Sequence, residues 1–402
     1  MSISTKFRLM LMMFLEYFIW GAWYVTMGTY MGEHFKEDGI DKIIGYAYSA
    51  MALATIFSPF FIGMIADRFF AAQRIMGFLH LGGAVLLYLT TTVTSSTVFP
   101  FVILLYALLY MPTIALSNSI AFGQMNDPGK QFPWIRVFGT LGWIVAGFVI
   151  GSLKIEKANT TFLIAAAVSA LLGLFSFVLP DTPPKGKAAD SSASGAIGAD
   201  AFVLFKNKSY FIFFIAAILV CIPLSFYYGF ANPFLNELNV NEPAKKMILG
   251  QASEALFIIA IPFLFTRIGV KNMLLLGMVA WMLRYVCFAY GDAGSNLWML
   301  YGGIILHGIC YDFFFVTGYM YTEKKAGPKI KNAAQGLFTF ATYGVGMLIG
   351  TWISGIVVNL YKHTDGGHDW MRIWFVPAYI AVAVLVYFLI FFKEKREIEQ
   401  AV

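Results

Sequence analysis

IILHGICYDFFFVTGYMYTE, residues 304–323, is the stretch whose reading decides the fold. It is apolar over about 20 residues, enough for one helix to cross the hydrocarbon of a bilayer. Yet His307 and Asp312 sit in its middle, inside a run of aromatics. An ionisable side chain at that depth is costly unless it faces a protein interior or a watery cavity. Asp312 therefore marks a candidate site as well as a candidate span.

The rest of the chain agrees with a membrane setting. Of 402 residues, 59% are hydrophobic and only 12% charged, where a soluble domain is about half apolar and a quarter charged. The net charge of +6 reads as basic loops that fix topology, and no nucleic-acid partner is expected. Cys221, Cys287 and Cys310 lie in apolar stretches without metal-ligand spacing, so neither a disulfide framework nor a metal or other cofactor is expected. The first apolar run, 7–32, is too long for a secretory leader and lacks a small-residue cleavage pattern.

Twelve runs have spanning length: 6–31, 43–67, 74–95, 98–125, 133–153, 161–180, 209–236, 247–267, 272–291, 296–322, 331–360 and 370–392. Between the sixth and seventh, DTPPKGKAADSSASGAIGADAFVLFKNK (181–208) replaces large apolar residues with Pro, Ser, Gly and Ala. Such a composition cannot bury a core and predicts a flexible linker, with a short interfacial helix over 201–205. The expected organisation is a six-helix bundle over 1–180, a cytoplasmic linker over 181–208 and a second six-helix bundle over 209–402. With the N-terminus placed inside, 18 Lys and Arg fall on the inner side and 8 on the outer. That asymmetry predicts both termini in the cytoplasm, in a bacterial-type inner membrane.

An all-α polytopic chain of six plus six helices with a central cytoplasmic linker resembles the major facilitator superfamily. There, substrate binds near the midplane between two bundles. Gly63, Asp67 and Arg68 stand in GMIADR after the second span, similar to that superfamily's G-x-x-x-D-R gating motif. The matching place in the second half, TRIGVK (266–271), keeps glycine and basic residues but has no aspartate.

Seven ionisable residues fall inside spans: Glu16, His80, Arg136, Glu254, Arg284, His307 and Asp312. For Glu16 a cavity-facing role and a buried, bonded carboxyl are both open. For His80 and Arg284 a structural role is expected. Arg136, Thr140 and Trp143 recur at i, i+4 and i+7, so a guanidinium, a hydroxyl and an indole share one helix face; the alternative is an arginine reaching to the cytoplasmic edge. Gln251 and Glu254, like Ser225 and Tyr228, are three apart and share a face. A carboxylate beside an amide suits hydroxyl recognition. His307 and Asp312 are about 140° apart on a regular helix and share a face only if the helix is distorted, as Gly308 permits.

FPWIRVFGTLGW (132–143), SEALFIIAIPF (253–263), GVKNMLLLGMVAWMLRYVCFAYGD (269–292), YDFF (311–314) and AAQGLF (333–338) together resemble the nucleoside:H+ symporter family across nearly the whole chain. The resemblance implies a secondary active transporter, not an enzyme, that takes up nucleosides with protons by alternating access, acting as a monomer in the lipid bilayer. Arg136, Thr140, Trp143, Gln251, Glu254 and Asp312 match or nearly match that family's substrate-cavity positions, and Asp312 and Glu254 are the candidate proton carriers. Ser225 and Tyr228 stand where a typical nucleoside permease of the family has amides, and His307 where it has tyrosine. The base-reading amides are thus lost while the set suited to a sugar stays. A uniporter, or a carrier of a sugar-like metabolite, is the alternative. A channel or a receptor without flux is a further reading, separable by current and by tracer uptake.

Overall fold

The computed structural model describes residues 2–61, 70–126, 128–183, 199–364 and 366–393. Gly63, Asp67 and Arg68 of the candidate gating motif lie outside the described residues, as does most of the linker.

The helices in chain order are α1 (Ile3–Trp23), α2 (Met27–His34), α3 (Ile40–Phe61), α4 (Ala72–Thr90), α5 (Phe99–Gly123), α6 (Pro128–Leu153), α7 (Thr160–Ser176), α8 (Lys208–Glu237), α9 (Pro243–Tyr290), α10 (Leu297–Tyr311), α11 (Thr317–Thr339), α12 (Met347–Leu360) and α13 (Trp370–Phe391). A short 3-10 helix, Ala199–Lys206, precedes α8. It buries Ala201 and Leu204 and exposes Phe202 and Val203, which suits the interfacial position expected for 201–205. Local chemistry sets several starts. Asn207 accepts from the Tyr210 backbone N–H to cap α8, and Asp369 from that of Arg372 to cap α13.

Among the described residues, ten helices are long and apolar enough to cross a membrane. The twelve expected runs differ at two places. The run at 161–180 is the shorter apolar helix Thr160–Ser176. The runs at 247–267 and 272–291 are the two parts of α9, separated by a kink at Gly269, where φ is +76°; only the second is apolar enough to count among the ten. A residue with a Cβ adopts that conformation only at a cost. The polar residues Gln251, Ser253 and Glu254 dilute the apolarity of the first part of α9.

Two π-helical turns interrupt the second half of the chain, Asp312–Val316 and Phe340–Gly346. Such turns widen a helix locally and recur at functional sites. The first begins at Asp312 itself.

In a bilayer the drive for helix association is close packing and polar pairing rather than water exclusion. Small residues provide it here. At Gly142 an added Cβ would lie 2.1 Å from the Phe14 carbonyl oxygen, so α1 and α6 meet backbone to backbone. The outside is the reverse of a soluble protein. Phe78, Phe101, Leu174, Trp298, Tyr379 and Ile390 are all exposed, a surface that only lipid solvates. The first seven helices pack largely on one another, as do the last six. The two sets meet where α3 lies on α12, α6 on α9, and α2 on α8.

Candidate functional site

Where α6 faces α9, side chains from both ends of the chain converge. On the α6 side the Arg136 guanidinium lies over the Tyr17 ring, 4.0 Å from its centroid. Thr140 follows, half-buried, one turn on. Trp143 packs edge-on against Trp20 at 5.4 Å and near Tyr24 at 6.4 Å. Tyr24 in turn meets Tyr228 of α8 at 5.7 Å. Aromatic faces thus run unbroken from one half to the other. A cavity between α1, α6, α8 and α9 is lined by Trp143, Tyr228 and Gln251 together with Gly21, Gly147 and Met247.

On the α9 side, Glu254 is half-buried. His307 is fully buried. Its Nε2 lies 3.7 Å from Glu254 Oε2, and its Nδ1 lies 3.0 Å from Arg284 Nη1. Its ring stacks on Tyr227 at 5.0 Å. Gly308 lets α10 approach this closely, since a Cβ there would fall 2.5 Å from Ser253. Asp312 is buried, and neither carboxylate oxygen has a hydrogen-bond partner among the described residues. Tyr311, just before the first π turn, and Tyr343, within the second, are joined hydroxyl to hydroxyl.

Not every candidate offers a free group. Ser225 is buried, and its hydroxyl donates to the Cys221 carbonyl at 2.9 Å in its own helix. Of the two readings of Glu16, the structure selects the bonded one. One oxygen lies 2.8 Å from His80 Nε2 and the other accepts from Thr113 at 2.7 Å. His80 Nδ1 lies 3.3 Å from the Ser169 hydroxyl. Glu16 and His80 thus hold the first bundle together.

Sequence reasoning did not find several participants. Tyr17, Trp20, Tyr24 and Tyr227 are aromatic among many aromatics. Arg284 carried a signal, a buried cation three residues after Trp281, but its partner was hidden. No carboxylate lies within ion-pair distance of it among the described residues; it pairs with an imidazole and a ring.

Also unforeseen were two polar clasps that join the halves at one end of the molecule. Glu156 accepts from Asn232 Nδ2 at 2.8 Å, from Asn236 Nδ2 at 3.0 Å and from the Ala244 backbone N–H at 2.8 Å, at the start of α9. A carboxylate is favoured at a helix N-terminus. In the second clasp, His368 sits between Asp41 at 3.3 Å and Glu237 at 2.7 Å. Burial pulls the His368 pKa down, but hydrogen bonds to Asp41 and Glu237 and their charges more than offset this and raise it to about 9. In sequence, Asp41, Glu156, Glu237 and His368 sit between the expected spans, in segments read only as topology signals.

The chain is similar to known membrane transporters along nearly its whole length. A family model described as "Nucleoside H+ symporter" matches residues 3–397. The putative nucleoside transporter YegT of Escherichia coli is 40% identical, over 98% of this chain and 95% of that protein. The xanthosine permease of the same organism is 37% identical, over 99% and 98%. The crystal structure of the nucleoside transporter NupG superposes with a TM-score of 0.89 at 35% identity, over 98% of this chain and all of that one.

Proposed function

The chain belongs to the nucleoside H+ symporter family, a set of multi-pass membrane transporters with the major facilitator fold, and from that premise we propose proton-driven nucleoside uptake by alternating access. The halves are 1–180 and 209–402, joined by a cytoplasmic linker over 181–208. They cross a bacterial-type inner membrane twelve times with both termini inside, and work as a monomer.

The observation that carries this reading is a cavity walled by both halves, with Gly21 and Trp143 from the first and Tyr228 and Gln251 from the second. Only a site built from both halves can change its exposure when they rock. Arg136, Gln251 and Glu254 are the groups suited to a polar ligand, and Trp143 and Tyr228 the faces on which a ring can stack. An ionised carboxylate with no donor in reach is expensive to bury, whereas the neutral acid is far cheaper. Asp312, with no partner for either oxygen, is therefore the better placed of the two proton carriers. Outward, Asp312 takes a proton and the ligand binds. Inward, both leave. Proton and ligand must favour the same state together, or the gradient does no work.

Tracer uptake into proteoliposomes, with and without an inward proton gradient, tests the reading. Faster initial uptake and accumulation above equilibrium are expected with the gradient; identical curves would leave a uniporter. One observation favours a second reading of the cargo. The Ser225 hydroxyl is already engaged and offers little to a base. Binding of free ribose as tight as that of any nucleoside would favour a sugar-like substrate.

A further inference from the structure

Arg284 is fully buried, and a buried guanidinium normally needs a carboxylate. Its one hydrogen bond given by the structure is to His307 Nδ1; Nε and Nη2 have no partner among the described residues. Its charge is met instead by ring faces, with the guanidinium carbon 3.4 Å from the Tyr227 centroid.

Arginine is donor-only and does not lose its proton. The nitrogen it faces must therefore be an acceptor. That places the single imidazole proton on Nε2, the nitrogen turned toward Glu254 and 3.7 Å from it. A second proton on Nδ1 would set N–H against N–H and cation against cation. Nε2 has no hydrogen-bond partner among the described residues, so the donor is made and left unused. Of the groups that face His307, Glu254 and Arg284 come from α9, Tyr227 and Tyr228 from α8, and Tyr311 from its own helix. The carboxyl among them lies on the Nε2 side.

We propose that Arg284 is a positioning residue for the ligand site, holding His307 as the neutral Nε2–H tautomer and so making position 307 a fixed donor. The inference rests on reading this region as the nucleoside site. Its consequence is chemical. His307 carries no transported proton, and it reads an acceptor on the ligand, such as a ribose hydroxyl oxygen. A tyrosine hydroxyl in the same place is a donor as well, so the two residue types can serve one task only if the imidazole is locked.

Nitrogen NMR of detergent-solubilised protein, labelled with 15N-histidine, tests this without any ligand, with the His307 signal identified by its loss in His307→Tyr. The expected spectrum has Nδ1 bare and Nε2 protonated, unchanged from about pH 5 to about pH 8. In Arg284→Met the imidazole loses the cation facing it, so protonation of Nδ1 should begin at a higher pH than in the unsubstituted protein. Arg284→Lys, still donor-only, should restore the bare Nδ1. In proteoliposomes, Arg284→Met should weaken nucleoside uptake roughly tenfold and add an ionisation to its pH profile. That ionisation should vanish in the Arg284→Met, His307→Tyr double variant. A proton on Nδ1 in the unsubstituted protein, or identical His307 titration with and without Arg284, overturns the proposal. If Arg284→Met does not fold, the unsubstituted and lysine spectra decide it alone. Absence of proton-driven uptake by the unsubstituted protein would instead remove the transport reading and leave the tautomer result standing.

Discussion

Raising the pH should open the end of the molecule that the Asp41–His368–Glu237 clasp closes. His368, raised to about 9 from an ordinary 6.5, binds its proton more tightly when clasped than when free. By linkage a raised value favours the clasped state fully below about 6.5, and the advantage is lost as pH rises through about 9. The whole shift corresponds to at most ~3 kcal/mol. Opening does not release all of it, because Glu237 and His368 belong to the same half and separate only from Asp41. Solvent screening at this partly open site reduces the remainder. About 1 kcal/mol is left, close to a fivefold change in the ratio of closed to open. Lys362, 4.0 Å from Asp41, is a second partner for that carboxylate and dampens the change without reversing it. Spin labels at the exposed positions Lys36 and Thr364 would report the gap between the halves. The short-distance population should fall several-fold between about pH 6.5 and about pH 9.5, and Asp41→Asn should flatten the response. A distribution that does not move with pH, or an Asp41→Asn protein with the original slope, would refute the reasoning.

Asp312→Asn should abolish gradient-driven accumulation while leaving the melting temperature in detergent near its original value; full accumulation would move the proton to Glu254. Ser225→Ala should change nucleoside affinity less than twofold, because the hydroxyl already serves the Cys221 carbonyl; a tenfold loss by equilibrium binding would place Ser225 on the ligand. Gly142→Ala should cost about 1–3 kcal/mol of stability by forcing α1 from α6, whereas Gly32→Ala, with nothing within 4 Å, should melt unchanged. Glu16→Ala leaves His80 and Thr113 without their shared carboxylate and should cost about 3–5 kcal/mol, read as a large fall in melting temperature.

Much of the molecule was legible in one dimension because its solvent is lipid. A span must be continuously apolar and about 20 residues long, so composition alone marks helices, and Lys and Arg mark their sides. Where polar residues are needed inside a span, that signal weakens, as in the first part of α9 around Glu254. The same polar residues mark the candidate site, since Arg136, Glu254, His307 and Asp312 are conspicuous against an apolar background. What could not be read was which of them meet.

By itself, then, the sequence determined the class of the fold, the order of its helices and the short roster of groups able to handle a polar ligand and a proton. Only the tertiary structure decided that Glu16 is matched within the first bundle, that Arg284 turns to an imidazole, and that Asp312 has no hydrogen-bond partner among the described residues. Helix formation depends on residues a few positions apart, and periodicity records it. Pairing of buried polar groups depends on helices distant in the chain, whose relative rotation is set by packing at places such as Gly142 and Gly308. A π turn that begins at Asp312 shifts a side chain by a fraction of a helical turn, which is enough to change its partners and leaves no trace in spacing.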